Sequence, residues 1–145
     1  NFDIYTKLGP KRIIFHMEAM QSLEEFRDFL EGIDPYIRDS IQIGIAFKPS
    51  QPLENIFTLI PFVDFVQCMG NDKIGYGGVS LDEKVYDRIK LLREKYSDLP
   101  IEVDIGVNEE TAPKLVKAGA TKLITGSVLF NSYDKIGLVE KFRNL

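Results

Sequence analysis

The sequence predicts an α/β fold built on a parallel sheet, and three observations carry that prediction. Short β-branched runs alternate with longer amphipathic stretches five times over. The return path from one run to the next is always long enough for a crossover helix, as parallel neighbours require. The length of 145 residues suits one domain with a sizeable core and is too short for two ordinary ones.

The first run, Arg12 to Ala19, reads as a buried strand. A helical stretch from about Ser22 to Ile37 follows, with Leu23, Phe26, Phe29, Leu30 and Ile33 at helical spacing. Ser22 with Glu25 three residues later forms a capping box. Ile41 to Phe47 is the second strand, stopped by Lys48-Pro49, and the next helix opens near Pro52 with Leu53, Ile56, Phe57 and Ile60 turned inward. Phe62 to Met69 is the third strand. A glycine-rich loop from Gly70 to Ser80 leads to a helix from Asp82 to Tyr96, buried along Val85, Ile89 and Leu92. Pro100 to Asp104 is the fourth strand. Asn108 can cap the helix that runs to Ala118, and Gly119 ends it. Lys122 to Gly126 is the fifth strand, and a last helix carries Ile136, Leu138, Val139 and Phe142.

No linker or low-complexity segment interrupts this order, so residues 1–145 read as one domain. Two architectures use the plan: an open doubly wound sheet and a closed eight-stranded barrel. Five units fill an open sheet, whereas a full barrel takes ~250 residues, so pattern alone favours the open sheet. The chain starts Asn1-Phe2-Asp3 without Met, which raises the expectation that it is a piece of something longer.

Composition narrows the function. Apolar residues make up 44% and charged residues 28%, the balance of a globular protein rather than a disordered one. With 18 Lys and Arg against 22 Asp and Glu, and no block of like charge, a nucleic-acid partner is not expected. Neither is a membrane partner, since no apolar run approaches the ~20 residues of a span. The single cysteine, Cys68, reads as packing within its strand and suits a cytoplasmic location.

Function should collect at the C-terminal strand ends. Read in order, these carry Glu18, Lys48 with Pro49, the loop from Gly70 to Val79, Asp104 with Gly106, and Gly126 with Ser127. Three of the five bear glycine just before a helix, where backbone N–H groups and the helix dipole favour an anion. That is how an acidic chain could hold a phosphorylated ligand, although each glycine alone is an ordinary turn residue. Asp104 could do metal or acid/base work, or simply cap the next helix. His16 and Glu18 sit on alternate positions and could suggest ligands, but a lone histidine more often reads as a satisfied core residue.

With these residues in view, the chain resembles the C-terminal part of the ribulose-phosphate 3-epimerase family. Phe15-His16-Met17-Glu18-Ala19 is similar to the family's FHxEA strand, and Ile43 to Pro49 to its VGLAxxP strand. Val63 to Met69 is similar to VDxVLxM, and Gly75-Tyr76-Gly77-Gly78 to the GFGGQ loop that follows. Glu102 to Val107 matches VDGG(I/V). Gly119-Ala120 and Gly126 to Phe130 match the GA and GSAIF elements.

The resemblance implies a partial (β/α)8, or TIM, barrel whose five units correspond to strands four to eight, the first three being absent. It implies an isomerase that inverts the carbon next to the ketone of a pentulose phosphate through an enediolate, in the chemistry of the pentose phosphate pathway. It implies a divalent metal cation (zinc, iron, manganese or cobalt), with Asp104 as both ligand and acid/base group. The other Asp and two His ligands would lie on the absent strands, and His16 matches a family histidine that is no ligand. Substrate and phosphate contacts fall on Gly75, Tyr76, Gly77, Gly78, Ile105, Gly106, Gly126 and Ser127, and Met69 lines the metal pocket. The implied partner is a phosphorylated sugar, with a homo-oligomer possible and the chain alone expected to be inactive and prone to self-association.

Three departures bear on the substrate. The loop before Gly75 is one residue longer than the family pattern and lacks its proline; Val79 stands where the family has glutamine; and Ile105 replaces the first glycine of DGG. A related hexulose-phosphate epimerase or aldolase barrel, or a non-catalytic sugar-phosphate binder, are the alternatives.

Overall fold

The computed structural model describes residues 2–145. Five strands, β1 (Arg12–His16), β2 (Gln42–Phe47), β3 (Phe65–Met69), β4 (Ile101–Asp104) and β5 (Lys122–Ile124), form one sheet. They are parallel throughout and lie in the order β1-β2-β3-β4-β5. That order decides between the two architectures. A doubly wound sheet must reverse its strand order at a switch point to place helices on both faces. Here the order never reverses, so right-handed crossovers put every helix on one side and leave the other concave. The open sheet that pattern alone favours is therefore replaced by an arc of a (β/α)8 barrel. Among the described residues, β1 and β5 each pair on one side only.

Among the described residues the helices are, in chain order, α1 (Phe2–Lys7), α2 (Leu23–Glu31), α3 (Pro35–Ser40), α4 (Leu53–Leu59), α5 (Lys84–Lys95), α6 (Thr111–Ala118), α7 (Ser127–Asn131) and α8 (Lys135–Arg143). Alternate strand residues Ile43, Ile45, Phe47, Val66, Cys68, Ile101 and Val103 face these helices. They pack with Leu30, Ile56, Leu59, Ile89, Leu92 and Leu115 into one apolar core. The capping box is present, Ser22 Oγ accepting from the Glu25 N–H at 3.3 Å. Asn108 Oδ1 accepts from the N–H groups of Glu110 and Thr111, both at 2.9 Å, and Gly119 closes α6 with φ +119°.

Besides adding α1 and α7, which the pattern does not predict, the structure differs from it most in three places. The stretch from Ser22 to Ile37 is two helices, because Gly32 ends the first and Asp34 caps a second that opens on Pro35. Met17–Ala19 turn as a single 3-10 segment, which ends β1 at His16. Ile60–Phe62 do the same, so β3 starts only at Phe65.

The remaining strand residues form the concave face, and they are unusually polar. Gly44 leaves room for the Phe65 ring, which is 1% exposed. The Arg12 guanidinium stacks on that ring, 3.8 Å from its centroid, and pairs with Glu102. Lys122 Nζ reaches Glu102 Oε1 at 3.3 Å. The Glu102 side chain is only 3% exposed, so two cations partner a carboxylate that would be costly to bury alone.

Candidate functional site

Asp104 ends β4 on the concave face, level with Met69 of β3 on one side and Ile124 of β5 on the other. Its Oδ1 accepts from the Ile105 N–H at 2.8 Å, and among the described residues no hydrogen bond reaches Oδ2. Its backbone carbonyl accepts from the Gly70 N–H at 2.5 Å, which ties the end of β4 to the end of β3. One carboxylate oxygen is therefore fixed by its own backbone, and the other is left for a ligand or a proton.

The turn after Asp104 is sharp. Ile105 has φ +74° and Gly106 φ +72°, so two successive residues adopt the left-handed conformation. Glycine does this freely; a β-branched residue is strained there. Ile105 thus keeps the backbone shape that the resemblance assigns to glycine, while adding a half-buried side chain. Gly106 is wedged against Leu81, where a Cβ would lie 2.5 Å from the Leu81 nitrogen, and its carbonyl accepts from Thr111 Oγ1 at 2.7 Å. The loops after β3 and β4 are thereby interlocked.

The other candidates stand apart from this knot. Gly75, Tyr76, Gly77 and Gly78 are exposed, and a Cβ at any of the three glycines would meet nothing within 4 Å. Gly75 and Gly78 have positive φ, and Tyr76 is 72% exposed. Upstream, Asn71 and Asp72 brace the loop: Asn71 Nδ2 donates to the Ser80 carbonyl at 3.0 Å, and the Ser50 N–H donates to Asp72 Oδ1 at 3.1 Å. Gly126 and Ser127 are exposed at the tip of β5, where Ser127 opens α7. No hydrogen bond joins Gly75–Gly78 to the Gly106 or Gly126 loops among the described residues. The structure gathers Asp104, Ile105, Gly106 and Met69, and leaves the other two loops open around them.

Burial pushes the Cys68 thiol up to about 12, against a weaker opposing pull from Arg88. It is a packing residue that faces the helices, as its strand position implies. His16, by contrast, is no core histidine. Its side chain is 39% exposed, and Nδ1 lies 3.3 Å from Glu18 Oε1, which also faces Lys48 Nζ at 3.9 Å. The buried Gln67 and Glu102 and the half-buried Arg12 escaped sequence reasoning. The signal was there, since Arg12, His16, Gln67, Glu102, Asp104 and Lys122 fall on alternate strand positions that share one face.

Among the described residues, no three or more His, Cys, Asp or Glu side chains converge to hold a metal ion. Asp104 offers one carboxylate, flanked by a thioether and an aliphatic side chain. Hard divalent cations need several oxygen or nitrogen ligands, so these residues do not by themselves fit one. No helix is long and apolar enough to cross a membrane among the described residues.

Fold and strand-end chemistry together define a βα-barrel protein whose open strand tips surround a carboxylate. The ribulose-phosphate 3 epimerase family model matches residues 1–130, and the chain belongs to that family. It is 28% identical over 142 residues to the ribulose-phosphate 3-epimerase of Eremothecium gossypii, a match covering 98% of this chain and 56% of that protein. It is 32% identical over 145 residues to the same enzyme of Chlamydia muridarum, covering 96% and 60%. The chain therefore spans little more than half the length of these relatives. A solved structure, that of 3-hexulose-6-phosphate synthase, superposes with a TM-score of 0.67 at 16% identity, over 98% of this chain and 65% of that one. The likeness to it is one of fold.

Proposed function

We propose that the protein carrying this chain is an isomerase of the ribulose-phosphate 3-epimerase type, acting on a pentulose phosphate. The observation that supports this best is Asp104, held at a strand tip by the Ile105 N–H with its second oxygen unbonded among the described residues. In this reading, one carboxylate takes the proton from the carbon beside the ketone, leaving an enediolate. A second acid returns a proton to the opposite face, and inversion results. Asp104 carries one of the two transfers. Its neighbours at the same level, Met69 and Ile124, cannot carry the other, so the second group comes from a different element.

A divalent cation would stabilise the enediolate oxygen when bound, with Asp104 as the one ligand these residues contribute. The N–H groups of Gly106, Gly126 and Ser127, with the Gly75–Gly78 loop, would hold the phosphate. Tyr76 and Ile105 would border the sugar. A cytoplasmic location belongs to the same proposal.

The test is Asp104→Asn in the full-length protein. Turnover should fall by about 10²–10⁴-fold, the usual worth of a positioned acid or base, with the melting temperature unchanged. Exchange of the substrate's carbon-bound proton in heavy water should fall with it. Near-normal epimerisation by this variant would overturn the assignment. A second reading, a different ketose phosphate, is favoured by Ile105, whose side chain narrows the turn that would meet the substrate. A panel of pentulose and hexulose phosphates separates the two.

A further inference from the structure

The concave face carries a second polar cluster, at the other end of the sheet from Gly126. His16 ends β1, Glu18 lies in the turn after it, and Lys48 directly follows β2. Glu18 Oε1 meets both His16 Nδ1, at 3.3 Å, and Lys48 Nζ, at 3.9 Å. The Glu18 and Lys48 side chains keep 24% and 23% of their surface, so both remain reachable.

An independent observation lies one strand further on. Gln67 is 4% exposed, and its Oε1 is buried with no hydrogen-bond partner among the described residues. Its Nε2 finds only the Met69 sulfur, at 3.5 Å, a weak acceptor. Leaving such an amide unpaired is costly, because its desolvation is not repaid. Its strand neighbours cannot supply the bond, since Ala46 offers a methyl group and Glu102 is engaged by Arg12 and Lys122. On the same row, only Ala46 separates Gln67 from His16. The family pattern VDxVLxM has leucine where this chain has Gln67, so the amide is a feature of this sequence and not of the pattern.

We propose that His16, Glu18, Lys48 and Gln67 form a subsite for the uncharged, hydroxyl-bearing end of the sugar phosphate. Charge argues for hydroxyls over a second phosphate. Lys48 and Glu18 cancel, and a carboxylate beside the ammonium repels an anion. What remains is a mixed set: Lys48 donates, while Glu18 and the Gln67 oxygen accept, as neighbouring hydroxyls require.

Topology argues for the far end of the molecule. In an eight-stranded barrel, β1 and β5 lie opposite one another, about 15 Å apart for strands ~4.8 Å apart and tilted ~36°. After side chains have entered from both sides, the gap matches an extended five- or six-carbon phosphate ester. With its phosphate at the tip of β5 and its reacting carbon at Asp104 on β4, the other end falls toward β1 and β2. The inference rests on the proposed epimerase reading and adds which residues set the sugar's identity.

The test compares a pentulose phosphate with the analogue lacking the terminal hydroxyl, in the full-length protein and in Lys48→Met and Gln67→Leu. For the unaltered protein the analogue should lose about 10- to 100-fold in kcat/KM, as for a charge-assisted hydrogen bond. In each variant that penalty should shrink several-fold, because the true substrate loses the contact and the analogue has none to lose. Gln67→Leu restores the family's residue and guards against a folding defect in Lys48→Met. If both variants depress the two substrates by the same factor, or change neither, the subsite is refuted while the epimerase reading stands. If the unaltered protein epimerises no ketose phosphate, the underlying reading fails, and this inference with it.

Discussion

Three glycines near the candidate site allow backbone strain and steric crowding to be separated by one substitution, alanine. Gly106 has φ +72°, and a Cβ there would fall 2.5 Å from the Leu81 nitrogen and 2.7 Å from its Cα. Gly75 has φ +84° with open space around it, and Gly77 has neither a positive φ nor a neighbour within 4 Å. A left-handed conformation costs an L-residue about 1–2 kcal/mol. Crowding against backbone adds about 1–3 kcal/mol, because backbone cannot swing aside as a side-chain end can. Alanine returns about 0.4–1 kcal/mol by restricting the unfolded chain.

Gly106→Ala should therefore lose about 1–4 kcal/mol, Gly75→Ala about 1 kcal/mol or less, and Gly77→Ala nothing or a slight gain. Urea unfolding of the full-length protein, followed by circular dichroism, measures all three. With a slope of ~1–3 kcal/mol per molar, the Gly106 variant should shift its midpoint down by roughly 1 M. A Gly106 variant as stable as the parent, or a Gly77 variant as unstable as the Gly106 one, would refute this account of how the loops after β3 and β4 interlock.

Two other outcomes follow from the interior. The Cys68 thiol, raised to about 12 from 9.0 by burial, stays protonated in the fold while an unfolded thiol ionises above pH 9. The unfolded state then binds fewer protons, so stability should decline as pH rises from about 9 toward 12. Iodoacetamide at pH 8 should label Cys68 only after denaturation, and rapid labelling of the native protein would contradict its burial. Glu102→Gln removes the charge that Arg12 and Lys122 share. With those side chains 26% and 51% exposed, the loss is discounted to about 1–3 kcal/mol, a fall of several degrees in Tm. An unchanged Tm would show that the buried pair contributes nothing.

Much of this was legible in the residues. The strands announced themselves by β-branched runs, and Ser22, Asn108 and Gly119 marked helix ends where capping groups now sit. The break at Gly32 was hidden because Ile33 and Ile37 continue the helical spacing across it. The choice between open sheet and barrel was also hidden, since it depends on strand order and not on the content of any strand.

At the site, Asp104 and the glycines were visible as residue types at strand ends. The left-handed turn at Ile105 was not, because a β-branched residue argues against the conformation it adopts. The pairing of Arg12 with Glu102 joins residues 90 apart in sequence, a partnership that no local pattern encodes. What local pattern did encode, the period-two recurrence of polar residues, was masked by the apolar residues between them.

The Arg12–Phe65–Glu102–Lys122 stack lies at the N-terminal ends of the strands, whereas Asp104 and the glycine loops lie at their C-terminal ends. Cohesion and chemistry are thereby housed on opposite floors of the same building. Strand tips can be rewritten for a new ligand while the basement masonry holds, which makes the scaffold a natural starting point for directed evolution of its upper rim.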